Sequence, residues 1–182
     1  MKTRGFRRRI VPALAVVAMT LAATASLTLI STSDATAAVT SGTWYTVVNK
    51  NSGKCVDARA AGSANGTVVQ QYACNASPAQ EWRFQATSGG YFQVGTRNNA
   101  AQVWDVANVS TADGGVIHLW TYGGGDNQQW LPVEESGGSY HFVSRLSGKC
   151  LDVPSASTAD SVQLQQWACN GTAAQSFQLT VA

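Results

Sequence analysis

Three aspartates recur along the chain at nearly equal spacing, and each is followed at fixed distances by a polar side chain and an aromatic ring. The aspartates are 48 and 47 residues apart, and they are Asp57, Asp105 and Asp152. Thirteen residues after each comes an amide or an imidazole, and fifteen residues after comes a ring; these are Gln70, His118 and Gln165, and then Tyr72, Trp120 and Trp167. A carboxylate accepts strong hydrogen bonds from hydroxyl groups, and an aromatic face offers rigid apolar area to C–H groups. The set would suit a ligand with hydroxyls on one side and C–H groups on another, which is the chemistry of a sugar.

The spacing also predicts how these side chains are arranged. Side chains alternate between the two faces of a strand, so positions 13 and 15 after the aspartate share one face. We therefore expect the aspartate, the polar group and the ring of each copy to converge on one pocket. Two simpler interpretations stay open, because an aspartate in a turn often only caps backbone N–H groups and a large ring often packs in a core.

A further motif, Gln-x-Trp or Gln-x-Phe, recurs in step with the aspartates. Its glutamine lies 23 residues after the aspartate in all three copies, and its rings are Trp82, Trp130 and Phe177. The segments 53–82 and 148–177 are identical at 13 of 30 positions. A constant interval without insertions indicates that one backbone path is used three times. We predict that the three motif rings, together with Trp104, pack in a shared core.

Each copy has the pattern of short strands. Residues 46–48, 68–72, 116–120 and 162–167 are rich in β-branched and aromatic side chains and show no sustained helical period. Hairpin turns are indicated by Asn65-Gly66 and Asp113-Gly114, and more weakly by Asp160-Ser161. The sequence therefore predicts an all-β domain of three pseudosymmetric four-strand repeats, at about residues 43–90, 91–138 and 139–182.

The first 37 residues have the pattern of a secretory signal peptide. Five of the twelve Lys and Arg residues lie in the first nine positions, an apolar run covers 10–30, and Ala35-Thr36-Ala37-Ala38 follows. That order predicts removal of residues 1–37 and a secreted, extracellular domain over 38–182, without membrane contact after cleavage. Two alternatives stay open: export by the twin-arginine route, from the arginines at positions 7–9, and an uncleaved membrane anchor.

The cysteines are expected to form disulfides, because thiols oxidise outside the cell. Four cysteines permit three pairings. Cys55 and Cys74, like Cys150 and Cys169, are 19 residues apart in equivalent local sequences, which favours two local bridges. Each bridge would stabilise the fold by roughly 3 kcal/mol in the chain-entropy model. Closely spaced Cys-x-x-Cys pairs, which a zinc site would need, do not occur, and we expect no metal or other cofactor.

The three Gln-x-Trp (or Phe) units with their upstream aspartates resemble a ricin-type β-trefoil lectin domain, and in particular a family 13 carbohydrate-binding module. The resemblance covers essentially all of the chain after the leader. It implies a β-trefoil, which is a three-fold pseudosymmetric barrel with a hairpin cap. It also implies up to one sugar site in each repeat.

The resemblance implies roles for individual residues. In that family the aspartate, the polar residue and the ring contact the sugar, and an asparagine just before the glutamine of Gln-x-Trp adds a hydrogen bond. Only the middle repeat has that asparagine, as Asn127, whereas alanines 79 and 174 take its place elsewhere. The middle site therefore ranks first, and its predicted residues are Asp105, His118, Trp120 and Asn127, supported by Gln128. The other two predicted sites are Asp57, Gln70 and Tyr72, and Asp152, Gln165 and Trp167.

The middle repeat departs from the other two at the positions of the cysteines. It carries Val103 and Tyr122 there, so packing must hold its site where the other repeats use a covalent bridge.

Composition and motifs limit the function. From Val39 onward seven basic residues face nine acidic ones, so no basic stripe is left for nucleic acid. Glycoside hydrolysis needs two carboxylates roughly 5 to 9.5 Å apart, whereas the recurring aspartates belong to different repeats. We therefore expect a monomeric, non-catalytic, lectin-like protein that binds galactose- or xylan-type sugars of a polysaccharide. A protein-interaction or inhibitory trefoil stays open as the alternative, because one fold hosts many functions, and a small glycoside hydrolase is less favoured.

Overall fold

The computed structural model describes residues 38–182, and the predicted signal peptide lies outside the described residues. Repeat 1 contains strands β1 (Trp44–Asn49), β2 (Cys55–Ala58), β3 (Val69–Tyr72) and β4 (Glu81–Ala86). Repeat 2 contains β5 (Phe92–Thr96), β6 (Asn99–Val106), β7 (Gly115–Thr121) and β8 (Trp130–Glu134). Repeat 3 contains β9 (Ser139–Ser144), β10 (Cys150–Asp152), β11 (Val162–Gln163), β12 (Gln165–Trp167) and β13 (Phe177–Val181). The predicted four-strand repeat is confirmed, with one strand of repeat 3 divided at the buried Leu164.

The first and last strands of each repeat close a six-stranded barrel. The antiparallel pairs run in the order β1, β4, β5, β8, β9 and β13, and β13 pairs again with β1. Burial alternates along β1 in step with the strand period, since every second side chain faces the interior. A closed barrel leaves no unpaired strand edge.

The middle strands of each repeat form three hairpins that cap one end of this barrel. They are β2–β3, β6–β7 and β10–β12, and neighbouring hairpins pair with each other through β3–β11 and β7–β12. Their turns contain the predicted residues in the left-handed backbone region, with φ of 83° at Gly66, 80° at Gly114 and 62° at Ser161. The hairpin signals are therefore confirmed in all three repeats, including the weaker one.

The core lies on the pseudo-three-fold axis and is rich in aromatic rings. Its largest fully buried side chains include the predicted Trp82, Trp104, Trp130 and Phe177, which confirms those assignments. Two of the indoles are also anchored to the caps, since Trp82 Nε1 donates to the carbonyl of Val56 at 2.8 Å and Trp130 Nε1 to that of Trp104 at 3.3 Å. In repeats 1 and 2 a single hydrogen bond from the core ring thus connects the barrel to the cap hairpin.

Two disulfides connect local segments in repeats 1 and 3. Cys55 bonds Cys74 and Cys150 bonds Cys169, with Cα–Cα distances of 5.1 and 5.0 Å. This is the pairing that the equivalent spacing favours. Within residues 38–182, no helix is long and apolar enough to span a membrane.

Candidate functional site

One open cavity lies on each repeat, and the predicted residues line it. The cavities have volumes of about 370 Å³ in repeat 1, 470 Å³ in repeat 2 and 440 Å³ in repeat 3; we call them the repeat-1, repeat-2 and repeat-3 pockets. All eleven predicted binding residues fall in the pocket of their own repeat: Asp57, Gln70 and Tyr72; Asp105, His118, Trp120, Asn127 and Gln128; Asp152, Gln165 and Trp167.

Strand register brings the aspartate, the polar residue and the ring together. In repeat 2, Asp105 on β6 lies directly opposite His118 on β7, and Val103 lies opposite Trp120. The same register places Asp57 opposite Gln70 in repeat 1. The ring residue is two positions beyond the polar residue, so it points from the same face of the hairpin. The 13-residue interval is thus the separation of two residues that pair across the hairpin. The 15-residue interval reaches two positions farther along the second strand.

Each aspartate carboxylate is buried at the base of its pocket and held through both oxygens. In repeat 1, Gln70 Nε2 donates to Asp57 Oδ1 at 2.8 Å and Gln80 Nε2 donates to Oδ2 at 3.2 Å. The repeat-3 pocket repeats the arrangement, with Gln165 and Gln175 donating at 2.8 and 3.2 Å to the carboxylate of Asp152. The amides fix the orientation of the carboxylates, and each oxygen keeps a further lone pair for a ligand.

The repeat-2 pocket holds its aspartate with different groups. His118 Nε2 lies 3.0 Å from Asp105 Oδ1, and Asn127 Nδ2 donates to Asp105 Oδ2 at 2.8 Å. Asn127 thus donates to the carboxylate as Gln80 and Gln175 do in the other repeats, and Gln128 makes no hydrogen bond to Asp105. Gln128 instead accepts from the N–H of Gly123 and donates to the carbonyl of Thr121, which fixes the loop after the ring. The supporting role of Gln128 in sugar binding stays a prediction.

The glutamines of repeats 1 and 3 do more than sequence reasoning assigned. Gln80 and Gln175 hold the aspartate and also the loop behind the ring, through the carbonyls of Ala73 and Ala168. The signal was present in the sequence, because the 23-residue interval from aspartate to glutamine is constant. We used that interval only to align the three repeats, and we assigned a role to the rings of the motif but not to Gln80 and Gln175.

The three rings are exposed to solvent at the pocket walls. Tyr72, Trp120 and Trp167 expose 38%, 43% and 42% of their surface, so they are not part of the core. In repeat 2 the imidazole of His118 stacks on the indole of Trp120, with centroids 5.2 Å apart and an interplanar angle of 21°. That stack fixes the indole at a set distance from the carboxylate.

The wall opposite the ring is a strained turn that sequence reasoning missed. The third and fourth residues after each aspartate have positive φ although they are not glycines, and they are Ala60 and Ala61, Asn108 and Val109, Ser155 and Ala156. A β-branched residue such as Val109 rarely adopts this backbone, and Val109 is also 59% exposed. Such strain concentrates at functional sites. No glycine marks these positions, so the sequence carried no signal.

Burial and hydrogen bonding act in opposite directions on the carboxylates. Burial raises the pKa of Asp57 above the usual 3.8, and the hydrogen bonds from Gln70 and Gln80 and the charge of Arg59 lower it by less. Burial likewise raises the pKa of Asp152 above its usual value, against the hydrogen bonds from Gln165 and Gln175. Each pocket is lined by one carboxylate, which fits an acceptor better than an acid–base pair.

A closed six-stranded barrel, a cap of three hairpins and one pocket in each repeat define the β-trefoil class. The chain belongs to the ricin-type β-trefoil lectin family, whose model matches residues 43–180. Membership points to carbohydrate binding, and the two disulfides are consistent with an extracellular location.

Solved structures are similar over the same part of the chain. A designed three-fold symmetric protein, ThreeFoil, is 37% identical with a TM-score of 0.75, covering 76% of this chain and 99% of that one. An exo-β-1,3-galactanase from Clostridium thermocellum, 1,3Gal43A, is 34% identical with a TM-score of 0.71 over 77% of this chain, which spans 30% of the enzyme. A ricin B-like lectin from Macrolepiota procera, in complex with lactose, is 15% identical with a TM-score of 0.69 over 80% and 100% of the two chains, which shows the fold alone. No curated protein sequence matches the chain significantly.

Proposed function

We propose that this protein is a secreted, non-catalytic carbohydrate-binding protein that holds galactose- or xylan-type sugars of a polysaccharide in its three pockets. The observation that carries the proposal is the pairing, three times over, of a buried and fully oriented carboxylate with an exposed ring on the same hairpin face. The carboxylate would accept hydrogen bonds from two sugar hydroxyls. The ring would cover the C–H face of the same sugar.

The repeat-2 pocket is proposed as the strongest of the three. It has the largest volume of the three, about 470 Å³, and it alone has an asparagine beside the carboxylate. The amide nitrogen of Asn127 donates to Asp105 and to the carbonyl of Val106, and the amide oxygen is left to accept a hydrogen bond from a ligand.

The proposed role is binding, because the pockets lack the groups for hydrolysis. A glycosidase places two carboxylates roughly 5 to 9.5 Å apart around the scissile bond, and each pocket is lined by a single aspartate. The similarity to the galactanase is compatible with a binding role, because this chain matches only 30% of that enzyme and not the whole of it.

Single sugars should bind weakly and polymers more tightly. An open pocket with few contacts should give a dissociation constant on the order of 0.1 to 10 mM, because immobilisation offsets much of the interaction energy. Simultaneous binding of several pockets to one polymer should raise the apparent affinity by roughly a hundredfold where the spacing permits.

The test is retention on insoluble xylan and arabinogalactan, together with titration by galactose, lactose and xylose. Asp105→Ala and Trp120→Ala should each weaken sugar binding at the repeat-2 pocket by at least about tenfold. Asp126→Ala is the matched control, because Asp126 is an exposed acid one residue before Asn127 and pairs with Arg145 outside the pocket. Retention of Asp105→Ala equal to that of Asp126→Ala would contradict the assignment of the repeat-2 pocket. Release of reducing ends from either polymer by the unmodified protein would contradict the non-catalytic role.

A further inference from the structure

The repeat-1 pocket differs from the other two by a cation in its lining. Arg59 lies two residues after Asp57 and lines the pocket. The equivalent positions hold Ala107 in repeat 2 and Pro154 in repeat 3. Arg59 is the one Lys or Arg among the residues that line the three pockets. The side chain is exposed, so a ligand from solvent can reach it.

Two hydrogen bonds orient the Arg59 guanidinium. Nε donates to Gln70 Oε1 at 2.7 Å, and Nη2 donates to the carbonyl of Ser161 at 3.1 Å. These two donors form one edge of the planar guanidinium. Among residues 38–182, no acceptor is bonded to Nη1, so the edge formed by Nη1 and the second hydrogen of Nη2 remains free. A planar pair of N–H groups matches two oxygens of a carboxylate or a sulfate.

The balance of charge around the pockets also favours an anionic ligand in the repeat-1 pocket. The repeat-1 and repeat-3 pockets are each flanked by a neutral ion pair, Lys54–Asp160 and Lys149–Asp113, both at 2.7 Å. In repeat 3 this leaves the negative charge of Asp152 uncompensated inside the pocket. In repeat 1 the charge of Asp57 is offset by that of Arg59; burial raises the pKa of Asp57, and the guanidinium is one of the groups that lower it by less. An anionic ligand would therefore meet net repulsion in the repeat-3 pocket and none in the repeat-1 pocket.

We propose that the repeat-1 pocket selects an anionic sugar, namely a residue that carries a carboxylate or a sulfate. The sugar hydroxyls bind Asp57, the C–H face lies on Tyr72, and the anionic group binds the free edge of Arg59. This assignment rests on the proposed function, because it needs the pocket to hold a sugar. It makes the three pockets chemically distinct, so that one chain recognises neutral and acidic residues of a mixed polymer.

The competing interpretation is that Arg59 only positions Gln70. Its bond to Gln70 Oε1 turns the amide nitrogen toward Asp57, and this would help any sugar to bind. The two roles differ in one measurable quantity, which is the ratio of affinities for an acidic sugar and its neutral counterpart. A positioning role affects both sugars alike, whereas an ion pair affects only the acidic one.

The experiment isolates the repeat-1 pocket by removing the exposed rings of the other two. The background chain carries Trp120→Ala and Trp167→Ala and is titrated with galactose, galacturonic acid and galactose 6-sulfate, and with the pair glucose and glucuronic acid. We expect the background chain to bind the acidic member roughly tenfold more tightly at low salt, and the preference to shrink as salt is added. Arg59→Ala, which installs the residue of repeat 2, should abolish the preference, and Arg59→Lys should keep part of it. Arg83→Ala removes a cation outside the pockets and should leave the ratio unchanged.

The outcomes separate this assignment from the proposed function. Equal affinity of the background chain for acidic and neutral sugars overturns the assignment, and so does an affinity ratio that Arg59→Ala does not change. Binding of neutral sugars by the unmodified chain in that case leaves the proposed function intact. An unmodified chain that binds no sugar, neutral or acidic, overturns both. A preference for the uronic acids without one for the sulfate supports a carboxylate as the ligand, and an equal preference supports either oxyanion.

Discussion

At the scale of single residues, the pocket aspartates must be buried enough to be rigid and still be charged enough to accept hydroxyls. Asp57, Asp105 and Asp152 are each only 5% exposed. An ionised carboxylate in such a place is costly unless it is hydrogen-bonded. The amide and imidazole partners meet that need, and they leave the outer lone pairs directed to the pocket. The raised pKa of Asp57 and Asp152 shows that burial outweighs the hydrogen bonds in repeats 1 and 3.

The raised pKa values predict a loss of sugar binding in mild acid. A carboxyl whose folded-state pKa is above 3.8 takes up its proton before an ordinary aspartate does as the pH falls. Protonation removes acceptor capacity, so sugar affinity of the repeat-1 and repeat-3 pockets should fall through those raised pKa values. Titration of sugar binding against pH, in a chain that carries Trp120→Ala to silence the repeat-2 pocket, measures the midpoint.

Stability should change in the opposite direction over the same pH window. Because the folded state binds these two protons more tightly than the unfolded state, the contribution of Asp57 and Asp152 to stability rises as the pH falls from the folded-state pKa toward 3.8. Carboxyls with a lowered pKa, such as Asp113 and Asp160, lose their contribution only below that window. Sugar affinity that falls while the midpoint of urea unfolding holds or rises would support this account. A binding midpoint at or below 3.8 would contradict it.

At the scale of elements, each pocket is a property of one hairpin and the loop behind it. The hairpin register sets the aspartate against its polar partner, and the loop after the ring strand is held by the glutamine of Gln-x-Trp. In repeats 1 and 3 a disulfide also ties the loop to the first hairpin strand. Repeat 2 uses glycines in the loop, and Gln128 binds Gly123 there. The same geometry is therefore reached once without a covalent bond.

Removal of one disulfide should separate local from global stability. The double substitution Cys55→Ser and Cys74→Ser opens a loop of about 20 residues and should lower the free energy of unfolding by roughly 2 to 4 kcal/mol. Tyr72 lies two residues before Cys74, so sugar binding should weaken in the repeat-1 pocket first. Urea denaturation measures the free energy, and chemical-shift titration with sugar resolves the three pockets. The matched control is Cys150→Ser with Cys169→Ser, which should weaken the repeat-3 pocket instead; equal weakening of all three pockets by either pair would contradict the local role.

The sequence predicted this level of structure well because the relevant signals are local and repeated three times. Strand alternation, the turn at Asn65-Gly66 and the constant 23-residue interval each depend on nearby residues, and all three were correct guides to the fold. The left-handed turns after the aspartates were not predicted, since alanine and valine give no sign of positive φ. The environment of Arg59 was not predicted either, because its bond to Ser161 joins residues that are 102 positions apart. Such contacts exist only once the repeats have closed into the trefoil.

At the scale of the whole molecule, each pocket depends on the neighbouring repeat. The residue after each ring donates its N–H to the hairpin turn of another repeat. Thr121 bonds Asn65 Oδ1 at 2.8 Å, and two further bonds of 2.9 Å continue around the axis, Ala168 to Asp113 and Ala73 to Asp160. Repeat 1 therefore supports the repeat-2 pocket, repeat 2 the repeat-3 pocket, and repeat 3 the repeat-1 pocket. An isolated repeat would lack the acceptor that fixes its ring strand.

This cyclic support predicts that a turn substitution acts on the next pocket rather than on its own. Asp160 lies in the hairpin turn of repeat 3, accepts the N–H of Ala73 and pairs with Lys54. Asp160→Ala should therefore weaken sugar binding in the repeat-1 pocket several-fold, because the segment that follows Tyr72 loses its bond at Ala73 and the start of β2 loses its ion pair at Lys54, while the repeat-3 pocket keeps its affinity. The cost in stability should be small, since the ion pair is exposed. Chemical-shift titration of each pocket measures the effect, and Asp113→Ala is the matched variant, for which the affected pocket should be that of repeat 3. If each substitution instead weakened the pocket of its own repeat, the pockets would be independent units and the trefoil would serve only to display them.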